Sequence, residues 1–425
     1  MTDSDRMVLR ELASRWMEVA GSPEMQETKR LWKAVKDLRA ERPVILAETF
    51  PISGFFDEKK LVCQDPFLRN VERTLRETLE HYEDVGDDIV LEPYFRLAWQ
   101  VSRSTYGEGM ALVEEHAQDT AGRDLGYTYE FGIKTPDDVE RLEQRTYRVN
   151  REYTQQCRRR CEDIFGDILP VRVGNYDNFS PDSLGYNPFL GNNFIGISMD
   201  TYKLMGNENL NLWPYDHPDK LHAVASYMCE DRIAFYTWLE QENLLDYNTD
   251  NQFAGPSSYG YVSDLPSVDS DAPARLKDVW AWPESQETTV MSPAMYGEFF
   301  LPYIAKVSSL FGMTYYGCCE PLVDRLDRIM EAIPNLRAVS VSGWNNYGRM
   351  GDILGTDYVY SCKPKPAPIS GAVPDWDASR EDMEATYRAA KDCNLEIIYR
   401  DVYDINGDRR RMREWVQMTK SVMGF

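Results

Sequence analysis

Thr314-Tyr315-Tyr316-Gly317-Cys318, the helical stretch 321–332, and Ala338-Val339-Ser340-Val341-Ser342 together decide how this chain folds. Two short β-branched and aromatic runs flank one longer amphipathic segment, which reads as strand, helix, strand. The same alternation continues in both directions. Upstream, strands are expected at 44–48, 89–93, 169–174 and 244–248; downstream, at 358–362 and 395–400. Helical stretches lie between them at 66–82, 136–164, 218–243 and 292–311. Eight buried strands separated by helices point to a parallel sheet, and that number closes into an α/β (β/α)8 TIM barrel. An open doubly wound sheet is the other solution, but no Gly-x-Gly-x-x-Gly turn follows the first strand.

Residues 1–41 read as an N-terminal helical extension on a barrel of residues 42–425. Met7, Leu12, Trp16 and Met17 form one apolar stripe. Ser22-Pro23 then opens a second helix that continues through Leu31, Trp32, Val35 and Leu38. The extension is expected to be a packing appendage.

Composition narrows the function. Of 425 residues 43% are hydrophobic, enough for a large core, and the 70 acidic against 47 basic residues give a formal charge of −23. Such a field repels phosphate backbones and anionic lipid, so nucleic-acid and membrane partners are disfavoured. A local basic pocket can survive inside it, so charge does not name the substrate. With no signal-like start and no run of 18 apolar residues, the expected location is cytoplasmic and the eight cysteines are expected to be reduced. Only four histidines are present, which limits the usual metal and acid–base chemistry.

In a barrel the carboxyl ends of the strands converge on one mouth, and here they carry polar groups. Glu48 ends the first strand, Tyr94 follows the second, and Asn175-Tyr176-Asp177 follows the third. Asn248 and Asp250 follow the fourth, Trp344 the sixth, and Arg400-Asp401-Val402-Tyr403 the last. The sharpest signal is the turn Tyr316-Gly317-Cys318-Cys319-Glu320. On a regular strand only one of two adjacent cysteines faces the mouth, so Cys318 and Glu320 share a face. With Cys362 approaching from the seventh strand, two thiolates and a carboxylate make a zinc shell with an open position. The long connections 175–216 and 249–291 read as substrate-covering lids, with Trp280, Trp282 and Trp344 placed to stack on an aromatic substrate.

These residues resemble those of the uroporphyrinogen decarboxylase superfamily, from about Arg42 to the C-terminus. The resemblance rests on Gly132-Ile133-Lys134-Thr135-Pro136-Asp137-Asp138, on the segment Ser292-Pro293 through Phe299-Phe300-Leu301-Pro302-Tyr303, and on the Tyr316–Glu320 turn. It implies a (β/α)8 barrel. The decarboxylase branch uses arginines after the first strand, where this chain has Thr49-Phe50-Pro51-Ile52-Ser53. The resemblance therefore leans to the corrinoid-dependent methyltransferase branch, several of whose members hold zinc through a His-x-Cys turn. Cys318 matches that cysteine, but Tyr316 stands at the histidine.

The resulting expectation is a methyltransferase moving a methyl group from a small methylated substrate, a methyl ether or methylamine, to a corrinoid (cobalamin) on a partner protein. Glu48, Tyr94, Asp250, Tyr316, Glu320 and Tyr403 are the expected acids, proton donors or ligands. Asn175, Asn248, Trp280, Trp282 and Trp344 are expected to bind substrate, and Cys318, Glu320 and Cys362 to hold zinc. The rival readings are a decarboxylase-like lyase and a non-catalytic binding barrel.

Overall fold

A computed structural model describes residues 2–118, 124–176 and 193–425. Eight parallel strands follow one another along the chain: β1 (Val44–Ala47), β2 (Phe95–Trp99), β3 (Val171–Tyr176), β4 (Trp280–Ala281), β5 (Met313–Tyr316), β6 (Leu336–Ser342), β7 (Val359–Lys363) and β8 (Asn394–Tyr399). Six form one all-parallel sheet in the order 1-8-7-6-5-4, and β2 with β3 forms a separate parallel pair. The fold is thus mixed α/β with a half-barrel sheet, and the ladder between the two sheets is not continuous.

Side chains occupy the two gaps. Beside β1, the Ile45 and Ala47 N–H groups donate to the Asp88 and Asp87 carboxylates, each at 2.8 Å. Beside β4, the Trp280 N–H donates to Asn248 Oδ1 at 2.9 Å and the Asn248 amide donates back to the Trp280 carbonyl at 3.3 Å. On the β3 side, the Asp246 N–H donates to Asn175 Oδ1 at 3.0 Å. Carboxylate and amide groups here satisfy backbone groups that a neighbouring strand otherwise would.

Twelve helices are described: α1 (Asp3–Ala20), α2 (Pro23–Lys36), α3 (Pro66–Val85), α4 (Arg151–Phe165), α5 (Ile197–Asp216), α6 (Pro218–Gln241), α7 (Pro293–Phe299), α8 (Leu301–Ser308), α9 (Leu326–Ala332), α10 (Tyr347–Leu354), α11 (Trp376–Ala390) and α12 (Arg410–Met423). Their starts follow local chemistry. Ser22 and Asp65 accept from backbone N–H groups three residues on, each just before a proline at the first helical position. None of the described helices is long and apolar enough to cross a membrane.

Several elements differ from expectation. The second strand is not 89–93 but β2, because 87–89 is occupied in bonding to β1 through Asp87 and Asp88. The stretch 244–248 is no strand; β4 stands in the parallel sheet instead, and Asn248 hydrogen-bonds to its edge. The expected helix 136–164 breaks into a 3-10 turn (Pro136–Arg141), a short strand (Tyr147–Val149) and α4, whose cap is Asn150. Helix 292–311 is broken at Phe300, where φ −125° and ψ −47° leave the helical region before Pro302.

The N-terminal helices are tied to the strand region by buried polar contacts. Trp16 and Trp32 donate their indole N–H groups to the Glu92 and Asp88 carbonyls. Lys36, fully buried, pairs with Glu396 of β8 at 2.6 Å. A hairpin (Phe253–Gly255 and Ser258–Tyr259) reaches the same region, with Ser258 donating to Glu396 at 2.7 Å. Gly255 permits this, since a Cβ there would sit 2.3 Å from the Tyr315 ring.

Candidate active site at the strand ends

The turn after β5 is the centre of the mouth. Gly317 takes φ +96°, a conformation a side chain disfavours, and its position is closed by Leu322 and Ser340. The serines of β6 secure the turn: Ser340 donates to the Cys318 carbonyl at 2.6 Å and Ser342 to the Cys319 carbonyl at 2.8 Å. Asn345 accepts from the Leu322 N–H at 2.7 Å. Glu320 turns back and accepts from the N–H groups of Cys318 (2.8 Å) and Ser285 (2.9 Å).

This geometry leaves Cys318 buried and Cys319 partly exposed, their sulfurs 3.6 Å apart. The Cys318 thiol holds Cys319 below the ordinary thiol value, with Arg400 helping and burial opposing. Cys318 is correspondingly pushed well up. Cys319 is therefore the more readily ionised sulfur and the better nucleophile.

Beyond the turn, Cys319, Glu320, Glu287, Tyr202 and Trp344 line an open cavity of about 750 Å³. Glu287, which follows β4, joins Glu320 at its wall, and Glu284 lies buried behind them. Ser198 donates to Glu287 at 2.7 Å and to Glu284 at 3.4 Å. Burial raises the affinity of all three carboxyls for a proton, and in Glu284 the neighbouring Glu287 and Glu320 add to it. A carboxyl that holds its proton more tightly than usual is suited to act as a general acid.

On the other side of the turn lie Glu48 and Arg400, at the ends of β1 and β8. Glu48 accepts from the Ser257 hydroxyl of the inserted hairpin, and burial raises its pKa. Arg400 Nε is 3.7 Å from Glu48 and 3.5 Å from Asp401. Asp401 in turn lies 3.7 Å from the Cys319 sulfur.

Of the expected set, Glu320 and Trp344 line the cavity, Cys318 lies buried against Cys319, Glu48 sits beyond Arg400, and Tyr403 is exposed beside Asp401. Other members are placed elsewhere. Tyr316 is fully buried on the helix-facing side of β5, its hydroxyl 2.9 Å from Ser285 and bonded also to Tyr296 of α7, so it is no proton donor at the mouth. Cys362 also faces the helices, 3.5 Å from Thr386 of α11, because it alternates with Ser361 and Lys363 along β7. Cys318, Glu320 and Cys362 therefore do not converge, and the described residues contain no cluster of three His, Cys, Asp or Glu side chains suited to a metal ion.

Asn175 and Asn248 spend their amides on closing the sheet gaps rather than on substrate. Trp280 and Trp282 are core residues, not lid residues. Trp280 is fully buried in β4 and donates to the Gly260 carbonyl, while Trp282 donates to the Gly317 carbonyl and packs on Phe194. The other proposed lid, 175–216, ends in α5; residues 177–192, Asp177 among them, lie outside the described residues. Tyr94 and Asp250 do meet, the Tyr94 hydroxyl donating to Asp250, in a buried network with Arg96 on the β2 side.

Glu284, Glu287 and Cys319 are additions to the expected site residues, and Arg400, expected at the mouth only as part of the turn after the last strand, gains a definite position. Misplacing the fourth strand hid the two glutamates, since only a strand at 280–281 makes Glu284 and Glu287 strand-end residues.

No protein-family model and no curated protein matches the chain. Among solved structures, the chain is similar to a methyltransferase from Methanosarcina mazei at 11% sequence identity, over 93% of this chain and 97% of that one. The TM-score is 0.48, and a likeness of that order carries no argument about fold or chemistry.

Proposed function

We propose that the chain is a methyltransferase that removes a methyl group from a small methyl ether or methylamine and passes it to a corrinoid carried by a partner protein. The observation that carries this reading is the group of carboxyls Glu284, Glu287 and Glu320, whose proton affinity burial raises, with Glu287 and Glu320 lining the 750 Å³ cavity and Glu284 buried behind them. Demethylation leaves an electron pair on oxygen or nitrogen, and such atoms leave slowly unless a proton meets that pair. Glu287, at the cavity wall and bonded to Ser198, supplies the proton; burial holds it on the carboxyl, while the hydrogen bonds from Ser198, Gln286 and Glu284 oppose this and ease its release.

Trp344, 79% exposed at the cavity edge, offers a flat apolar surface to an aromatic methyl donor. The corrinoid, when docked, supplies a strongly nucleophilic cobalt(I) centre. A cavity of this size suits the small substrate, so the corrinoid must approach from outside. Phe50, Val290, Trp344, Val373 and Tyr403 are exposed in the segments that follow β1, β4, β6, β7 and β8, and they give that approach an apolar rim. The zinc set expected from the sequence does not fit, and no step here relies on it.

The test is spectroscopic. Reduced corrinoid protein is mixed with a panel of methyl ethers and methylamines, and methyl–cobalt formation is followed with and without the chain. Methylation only in its presence is expected. Glu287→Gln should slow it about 10²-fold or more, a typical general-acid contribution, and remove the fall in rate at high pH. Failure of every donor with every candidate corrinoid protein defeats the proposal.

A further inference from the structure

We propose that Arg400 is the anchor for a carboxylate on the substrate of this mouth, so that the methyl donor is an anionic or zwitterionic acid rather than a neutral ether or amine. The inference rests on the reading of the mouth as a methyl-transfer site. Its physical basis is separate from the acids that carry that reading.

Arg400 follows β8, and its side chain is only 15% exposed. Its Nε and Nη1 are enclosed and have no hydrogen-bond partner among the described residues. The nearest carboxylates stand off at 3.5 Å (Asp401) and 3.7 Å (Glu48), and Glu48 is bonded to Ser257 instead. Buried Arg96 also leaves Nε and Nη1 without a partner, but its Nη2 is committed to Asp250, and two other buried arginines are more fully used. Arg145 grips Asp231 with two nitrogens, and Arg325 donates to Thr288 and the Met291 carbonyl. Enclosed guanidinium N–H groups left unmade are expensive, and such a group in a cleft is a recognition element awaiting its acceptor.

The position suits a ligand. Cys319 lines the cavity, its sulfur is 3.7 Å from Asp401, and Asp401 is 3.5 Å from Arg400 Nε, so the guanidinium stands just behind the cavity wall. A guanidinium presents parallel donors that match a planar carboxylate. A single negative charge is also what the site tolerates. Asp401 and Glu48 are close, Lys363 is the other cation nearby, and the whole chain carries −23, so a doubly charged phosphate is repelled more.

The experiment is calorimetric titration of the full chain without corrinoid protein. The probes are 4-methoxybenzoate, glycine betaine, acetate, 4-methoxybenzyl alcohol and 4-methoxyphenyl phosphate. At least one carboxylate should bind at least tenfold more tightly than the neutral alcohol and the phosphate. Arg400→Gln should erase that preference, and Arg400→Lys should keep part of it, with melting temperature checking that each variant folds. Should Arg400→Gln not fold, the wild-type ranking and Arg400→Lys decide. Equal binding of acid and alcohol, binding of no carboxylate, a preference for phosphate, or a preference unchanged in Arg400→Gln overturns the assignment. Carboxylate binding without methyl transfer, by contrast, leaves Arg400 in place and removes the proposed reaction.

Discussion

The sulfurs of Cys318 and Cys319 stand 3.6 Å apart on the turn after β5, yet only Cys319 faces the cavity. The pairing lowers the Cys319 thiol below its ordinary value through the bond from Cys318, and raises that of buried Cys318. Gly317, at φ +96°, takes the chain out of the strand alternation just before the pair.

Cys319 is therefore expected to be the first cysteine alkylated by iodoacetamide at pH 7.5. Cys318→Ala, which removes the stabilising thiol, should slow alkylation of Cys319 several-fold. Peptide mass spectrometry over a time course reads both. Equal modification of Cys318 and Cys319 contradicts the arrangement.

The raised pKa of Glu284 has a sign that stability measurements can detect. A carboxyl whose folded value exceeds its unfolded value binds more protons when native, so its contribution is full below the unfolded value of about 4.3 and is lost as pH rises through the folded value. Glu284→Gln removes the burden of a buried charge while an amide oxygen still accepts from the Gln286 N–H. The variant should melt higher than the wild type at pH 8, with the gap closing towards pH 4.5. A variant that melts lower at pH 8 argues that Glu284 is held charged.

Asn248 supplies both a donor and an acceptor to the Trp280 backbone in a fully buried place. Asn248→Leu leaves that N–H unpaired, at a cost of about 1–3 kcal/mol, while the carbonyl keeps the Asn193 amide at 2.7 Å. Chemical denaturation should show this loss, while the ligand affinity of the folded protein stays near the wild-type value. A loss of affinity without loss of stability returns Asn248 to the substrate-binding set.

The two tryptophans near the turn should separate cleanly. Trp282→Ala opens the core behind Gly317 and is expected to cost about 3–5 kcal/mol. Trp344→Ala should change stability by less than about 0.5 kcal/mol, since the ring is 79% exposed. It should nevertheless weaken binding of an aromatic ligand or of the partner. Melting curves paired with titrations distinguish these outcomes, and a reversed pattern refutes the placement of both residues.

Six of the eight strands were expected within two residues of where they lie, because buried parallel strands are short β-branched runs whose apolar character is local. Glu48, Cys318, Glu320 and Trp344 were legible for a related reason: each directly follows such a run, and chain order alone carries strand-end residues to one mouth. The α2 start was equally plain, since the Ser22-Pro23 cap is a local signal.

Tertiary structure decided the remainder. Leu244-Leu245-Asp246-Tyr247-Asn248 has strand-like burial, but the Asp246 N–H meets the Asn175 side chain and Asn248 meets Trp280 through its own side chain, where a strand pairs backbone with backbone, while the two-residue β4 is too short to show a period. Cys362 and Tyr316 are strand residues whose facing depends on register, and a shift of one residue exchanges barrel interior for helix interface. The unmet N–H groups of Arg400 are a matter of distances to Glu48 and Asp401, set by β1 and β8 lying side by side though more than 340 residues apart. Local patterns, then, determined which residues form strands and helices; long-range pairing decided which side chains meet, because only the folded chain places charges and thiols from distant segments within a few ångströms.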